Sequence, residues 1–132
     1  MWCVIGTSFS DLIVGDGGNN HLSGGDGDDI MVGQSGSDTL EGGVGIDTAD
    51  YRASASAVIV NLGTGTAWGG LDSDARGDSL FGIENVIGSD FDDRLTGNEM
   101  ANVFSGGLGA DTMFGGIGID TADYGTSASA VI

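Results

Sequence analysis

A nine-residue beat of glycine and aspartate sets what this chain can fold into, and it is clearest at 24–32, GGDGDDIMV. In register it runs GTSFSDLIV (6–14), GDGGNNHLS (15–23), GGDGDDIMV (24–32), GQSGSDTLE (33–41) and GGVGIDTAD (42–50). It returns as GSDFDDRLT (88–96), GNEMANVFS (97–105), GGLGADTMF (106–114) and GGIGIDTAD (115–123). All nine units carry Gly at position 1, Asp or Asn at position 6 and an apolar residue at position 8. A fixed short period means stacked coils, each burying its apolar face only against its neighbours.

Within a unit, positions 1–6 are turn chemistry and positions 7–9 leave room only for a brief strand. Glycines at positions 1, 2 and 4 permit positive φ, so the backbone can curl with several carbonyls pointing inward. The strand period of two then sends position 8 one way and positions 7 and 9 the other. The position-8 set is Ile13, Leu22, Met31, Leu40 and Ala49, then Leu95, Phe104, Met113 and Ala122. One apolar residue in nine is too few for an ordinary core. Two facing stacks of short parallel strands would close over it as a thin solenoid, with unit n stacked on unit n+2.

Charge enters here, because stacking brings the position-6 acids of alternate units together. Twenty Asp and Glu face three basic residues, Arg52, Arg76 and Arg94, for a net charge of −17. So acidic and Gly-rich a composition suits disorder. Against that, 39% of residues are apolar and the acids recur at fixed intervals, which places the charge at sites. Two carboxylates a few ångströms apart repel by about 4 kcal/mol at an effective dielectric near 20. A hard divalent cation reverses that sign. Calcium accepts about six to eight oxygen ligands in irregular geometry, suiting carbonyls mixed with carboxylates, whereas magnesium demands a tighter octahedron. Zinc or copper would want His or Cys, and the chain has one of each, His21 and Cys3, far apart. Calcium is the expected metal.

Other partners are restricted by the same composition. No basic surface exists to meet phosphates, which excludes nucleic acid. No apolar run approaches the roughly 20 residues of a membrane-spanning helix. The N-terminus has no basic segment of the secretory type. Cys3, in the apolar opening MWCVI, is expected to be a small buried side chain.

The register resembles the G-G-x-G-x-D-x-U-x pattern of the RTX (repeats-in-toxin, hemolysin-type) calcium-binding family. That resemblance implies an all-β fold, a parallel β-roll: a two-sheet right-handed β-solenoid with Ca2+ in its turns. It also implies a ligand scheme: carbonyls of positions 2 and 4 and the side chain at 6 from unit n, with carbonyls of 1 and 3 and the side chain at 6 from unit n+2. Carried over by position, the best site uses Gly25, Gly27 and Asp29 with Gly42, Val44 and Asp47. A second uses Asp16, Gly18 and Asn20 with Gly33, Ser35 and Asp38. A third joins Thr7, Phe9 and Asp11 to Gly24, Asp26 and Asp29. In the later block Ser89, Phe91 and Asp93 meet Gly106, Leu108 and Asp111, and Asn98, Met100 and Asn102 meet Gly115, Ile117 and Asp120. About five ions are expected in all.

Some positions depart from the pattern. Asn20 and Asn102 offer a neutral oxygen in place of a charged one, so their sites should bind more weakly. Phe9, Phe91 and Met100 stand at position 4, where positive φ is costly for such side chains, so altered turn geometry or no metal is expected there. Asp78, Asp90 and Asp92 are expected on the solvated surface.

The expected organisation is a first block at 1–50, a connector at 51–87 that continues the solenoid, and a second block at 88–132. The blocks are copies: GGVGIDTADYRASASAVI at 42–59 recurs as GGIGIDTADYGTSASAVI at 115–132. The copy stops in mid-module, as an excerpt of a longer array would. In the connector, 57–62 and 83–87 read as strands and 67–78 as an exposed loop. Tyr51 and Tyr124 are expected to cover the end of each calcium-bound run.

These features point to a calcium-dependent structural module. The family resemblance implies a secreted protein, exported by type I secretion from a Gram-negative bacterium and folding outside the cell. Two alternatives stand beside it: the non-catalytic part of a secreted protease, lipase or polysaccharide-modifying enzyme, or a segment of an adhesin or self-assembling filament stacking end to end. The chain itself carries neither an H-E-x-x-H nor a G-x-S-x-G motif, and His21 reads as a strand-surface residue rather than a catalytic base. No catalytic residue is expected in it.

Overall fold

The computed structural model describes residues 2–124. The 125–132 part of the second block, the whole GTSASAVI segment, lies outside the described residues. Fourteen short strands and no helix make up the described chain, and no helix could therefore cross a membrane. In chain order they are β1 (Trp2–Ile5), β2 (Leu12–Val14), β3 (Asn20–Asp26), β4 (Ile30–Val32), β5 (Thr39–Val44), β6 (Thr48–Asp50) and β7 (Val58–Asn61). There follow β8 (Thr66–Gly69), β9 (Asp78–Phe81), β10 (Asn85–Ile87), β11 (Arg94–Thr96), β12 (Val103–Ser105), β13 (Thr112–Phe114) and β14 (Thr121–Asp123).

They form two sheets, eight strands in the order β1-β3-β5-β9-β8-β7-β11-β13 and six in the order β14-β12-β10-β6-β4-β2. Within each block odd strands pair with odd and even with even, in parallel and eighteen residues apart: Leu22 lies beside Leu40, Ile13 beside Met31 and Leu95 beside Met113. This is the n to n+2 stacking that an alternating-side solenoid requires. The fold is a parallel β-solenoid of the β-roll kind.

The position-8 residues fill the space between the sheets. Leu22, Met31, Leu40, Ala49 and Leu95 are fully buried, with Ile13 and Phe104 nearly so. Positions 7 and 9 face out, as exposed Leu12, Val14 and Ile30 show. Met113 is only partly buried and Ala122 is exposed, because no further coil covers β14 among the described residues.

Three expectations fail. Cys3 is exposed: it pairs with His21 at position 7 while its neighbour Val4 pairs with core Leu22, so the strand alternation turns the thiol outward. The 67–78 stretch is not a plain loop. It begins within β8, which pairs antiparallel with both β7 and β9, and it buries Ala67, Ser73 and Ala75. Tyr51 and Tyr124 do not play matching end-covering roles, since Tyr124 is half-exposed while Tyr51 is buried beneath the connector. The Tyr51 hydroxyl donates to Asp78 Oδ2 at 2.9 Å.

Candidate metal centre

The turns lie at the margins of the sheets, and position 6 ties them together. From Asp11 to Asp47, and again at Asp93 and Asn102, the position-6 amide donates to a side-chain oxygen in the coil stacked upon it. Asp11 N–H reaches Asp29 Oδ1 at 2.8 Å, Asn20 reaches Asp38 at 2.8 Å and Asp29 reaches Asp47 at 2.9 Å. Asp93 likewise reaches Asp111, and Asn102 reaches Asp120, each at 2.9 Å. All five expected pairs of position-6 side chains are thus brought into the same turns.

The backbone oxygens converge on the same places. A Cβ on Gly24 would land on both Asp29 Oδ2 and the Gly42 carbonyl oxygen. The same collision pairs Asp11 with the Gly24 carbonyl at Gly6, Asn20 with Gly33 at Gly15, Asp93 with Gly106 at Gly88 and Asn102 with Gly115 at Gly97. Position 1 is glycine because two oxygens already crowd that point. The position-2 and position-4 carbonyls of unit n face the next coil as well: Thr7 O and Phe9 O lie against Gly25 and Gly27, while Gly25 O and Gly27 O lie against Gly43 and Gly45. In the later block Ser89, Phe91, Asn98 and Met100 carbonyls lie against Gly107, Gly109, Gly116 and Gly118. The Gly18 carbonyl lies against Gly36. Position 3 is less simple. The Val44 carbonyl accepts the Gly27 amide at 2.8 Å, and Asp26 donates its amide to the Thr7 carbonyl at 3.3 Å. The Ser35 hydroxyl faces Asp74 at 3.4 Å.

Two kinds of turn emerge. In units beginning at 24, 33, 42, 106 and 115, positions 2 and 4 both have positive φ: Gly25 and Gly27, Gln34 and Gly36, Gly43 and Gly45, Gly107 and Gly109, Gly116 and Gly118. Gln34 is the lone non-glycine among the described residues with such a φ. In units beginning at 6, 15, 88 and 97, no position 2 or 4 has positive φ, and a polar side chain at position 2 organises the turn instead. The position-2 amide donates to the position-6 side chain: Thr7 to Asp11 at 2.6 Å, Asp16 to Asn20 at 2.8 Å, Ser89 to Asp93 at 2.6 Å and Asn98 to Asn102 at 3.0 Å. The position-2 side chain then accepts the position-4 amide of Phe9, Gly18, Phe91 or Met100. These are Asx and Ser/Thr turns, in which a side chain replaces a backbone partner. The bulky residues at position 4 do have altered turn geometry.

In the glycine turns the corresponding oxygen has no such donor. Asp29, Asp38 and Asp47 are essentially inaccessible to solvent, and the Oδ2 atom of each has no hydrogen-bond partner. A buried, unpaired carboxylate oxygen is costly to desolvate. Burial pushes the Asp38 carboxyl up to about 6 and raises those of Asp47, Asp93 and Asp111. No three His, Cys, Asp or Glu side chains cluster as a metal group among the described residues. A cation in these turns would therefore be held by two side chains and several carbonyls. That all-oxygen set suits calcium.

Sequence reasoning missed two acids. Asp78, expected on the surface, is buried with its Oδ1 accepting the Asp38 amide at 2.7 Å, and burial pushes it up to about 7. Tyr51 draws it inward, a contact between residues far apart in the chain. Glu84 takes a position-6 role, accepting the Asp47 amide on Oε2 at 2.9 Å. Counting back from Gly88 would have found it, since Val86 and Glu84 then fall at positions 8 and 6. Asp90 and Asp92 are exposed as expected. His21 lies on the strand surface, its Nε2 3.2 Å from Glu41.

The chain matches the family model of the RTX calcium-binding nonapeptide repeat in four copies, over residues 5–40, 31–49 and 87–122. A search of curated proteins finds no match.

Proposed function

This chain belongs to the RTX calcium-binding nonapeptide repeat family, and from that premise we propose that it is a structural module of a secreted protein that folds when it binds calcium. One observation carries the reading: three buried aspartates, Asp29, Asp38 and Asp47, each keep an oxygen that no protein group satisfies. A chain of net charge −17 with such oxygens inside has strong reason to stay expanded without a counter-ion. A bound calcium ion supplies positive charge and vacant coordination places where those oxygens point.

The side chains do the rest. Asp29 and Asp47, with the carbonyls of Gly25, Gly27, Gly42 and Val44, form the first of the five proposed sites. The others are the sites of Asn20 with Asp38, Asp11 with Asp29, Asp93 with Asp111 and Asn102 with Asp120. At free calcium about 100-fold above Kd, each occupied site contributes about 2.7 kcal/mol. Several together rival the roughly 5–15 kcal/mol stability of a whole domain. The compartment would then set the state: expanded where calcium is scarce, folded outside the cell where it is abundant. Any catalysis would belong to another part of a larger protein, with 1–50, 51–87 and 88–132 of this chain acting as spacer and folding aid.

Far-ultraviolet circular dichroism tests this directly. Calcium should convert a coil-like spectrum to a β spectrum, and a chelator should reverse it. A spectrum indifferent to chelation at neutral pH removes the reading.

A further inference from the structure

The oxygen arrangement of the repeat turns occurs once more, at a place the repeats do not reach. A Cβ on Gly42 would land on Asp47 Oδ2 and on the carbonyl oxygen of Gly82. This is the collision seen at Gly24 with Asp29 Oδ2 and the Gly42 carbonyl, but Gly82 lies in the connector, outside the matched repeats. The strand register explains it. β9 continues the stack above β5 with Glu41 beside Phe81, so Gly82 follows in the place of a position-1 glycine. β10 continues above β6 with Thr48 beside Asn85, so Glu84 falls at position 6.

Only Ile83 stands between Gly82 and Glu84, where an ordinary unit has four residues between positions 1 and 6. The shortened turn buries Ile83 in the core. Its acid is glutamate, one methylene longer than aspartate, and still reaches back to the Asp47 amide. Gly82 has positive φ and packs over Gly43, whose carbonyl oxygen lies 3.7 Å from its Cβ position. Asp47 Oδ2, buried and unpartnered, is aimed into this cradle. By contrast, the three atoms nearest a Cβ on Gly33 all belong to Asp38.

We propose that Asp47, the carbonyls of Gly43 and Gly82, and Glu84 form a further calcium site that seals the first block to the connector. It rests on the calcium reading above but uses residues outside the nonapeptides. Crystals of the chain grown with calcium, or with terbium as an anomalous stand-in, test it. A peak within coordination distance of both Asp47 Oδ2 and the Gly82 carbonyl is expected. A peak beside Asp29 with none beside Gly82 overturns this site and leaves the calcium reading standing, whereas crystals with no peak in any turn overturn both. Native mass spectrometry provides the second readout. Glu84→Gln, which keeps an oxygen for the Asp47 amide, should carry one ion fewer than the wild type at matched calcium. The exposed Asp72→Asn should carry the wild-type number. An unchanged count in Glu84→Gln overturns the site.

Discussion

The turns at 6–11 and 24–29 lie one upon the other in the same stack and satisfy the same residue in opposite ways. In the first, the Thr7 amide and hydroxyl wrap the Asp11 carboxylate, and Phe9 donates its amide to the threonine. In the second, Gly25 and Gly27 bend the backbone away, and Asp29 Oδ2 is left bare. A position-2 side chain that folds back over its own turn thus substitutes for a counter-ion, while a positive φ at positions 2 and 4 creates the need for one, for Asp38 above Gln34 as for Asp29. The wrapped turns open each stack of each block, at 6, 15, 88 and 97, and the glycine turns follow them. Each stack therefore begins on a turn that can stand without metal.

The sharpest way to break this comparison is to fill a cradle. Gly24→Ala would set a methyl against Asp29 Oδ2 and the Gly42 carbonyl, whereas a Cβ on Gly17 meets nothing within 4 Å. Forced overpacking costs about 1–3 kcal/mol, so the calcium midpoint for folding should rise roughly tenfold or more in Gly24→Ala. It should be unmoved in Gly17→Ala. Equal midpoints by calcium titration would contradict the crowding argument.

Neutralising the acid separates the two turn types next. Asp29→Asn removes charge from an oxygen with no protein partner, and its calcium midpoint should rise about tenfold, the loss of roughly one charge-assisted contact. Asp11→Asn, whose oxygen already holds the Thr7 amide, should move it by less than about threefold.

Acid should partly replace calcium. Burial holds Asp38 up to about 6 and Asp78 up to about 7, above the roughly 3.9 of an unfolded aspartate. The folded state therefore binds these protons more tightly than the unfolded state. Stability of the metal-free chain is full below that unfolded value and is lost as pH rises through about 6 and 7. In chelator, lowering pH from about 7.5 to 5 should increase the β signal. In calcium the same change should weaken binding, because protons compete for the ligands. A chelated sample that loses structure on acidification would contradict these directions.

The smallest effect belongs to the wrapped turns. Ser89→Ala removes the hydroxyl that holds Asp93 at 2.6 Å and accepts the Phe91 amide. Urea melts in saturating calcium should show a loss of about 1 kcal/mol. A loss as large as that of Asp29→Asn would erase the distinction between the two turns.

Much of this was legible in the residues. The position-8 set located the buried line from Ile13 to Phe104, because alternation in a three-residue strand leaves it no other direction. Phe9, Phe91 and Met100 signalled the unusual turns, since they cannot take the φ that glycine takes. The remedy was hidden, because it depends on Thr7, Asp16, Ser89 and Asn98, whose side chains are polar but off the glycine pattern. The connector was least legible. The hairpin of β7, β8 and β9 has no nine-residue period, and the burial of Asp78 depends on Tyr51, twenty-seven positions away. Cys3 misled because an apolar neighbourhood says less about orientation than the strand register does.

The amide ladder along position 6 gives the rod a direction. Within a block, every rung has its donor upstream and its acceptor eighteen residues downstream. Cut between two such rungs, the leading piece would end in bare N–H groups and the trailing piece would begin with idle carboxylates. The halves are plug and socket rather than equals, so severed pieces of this protein should rejoin in one order only.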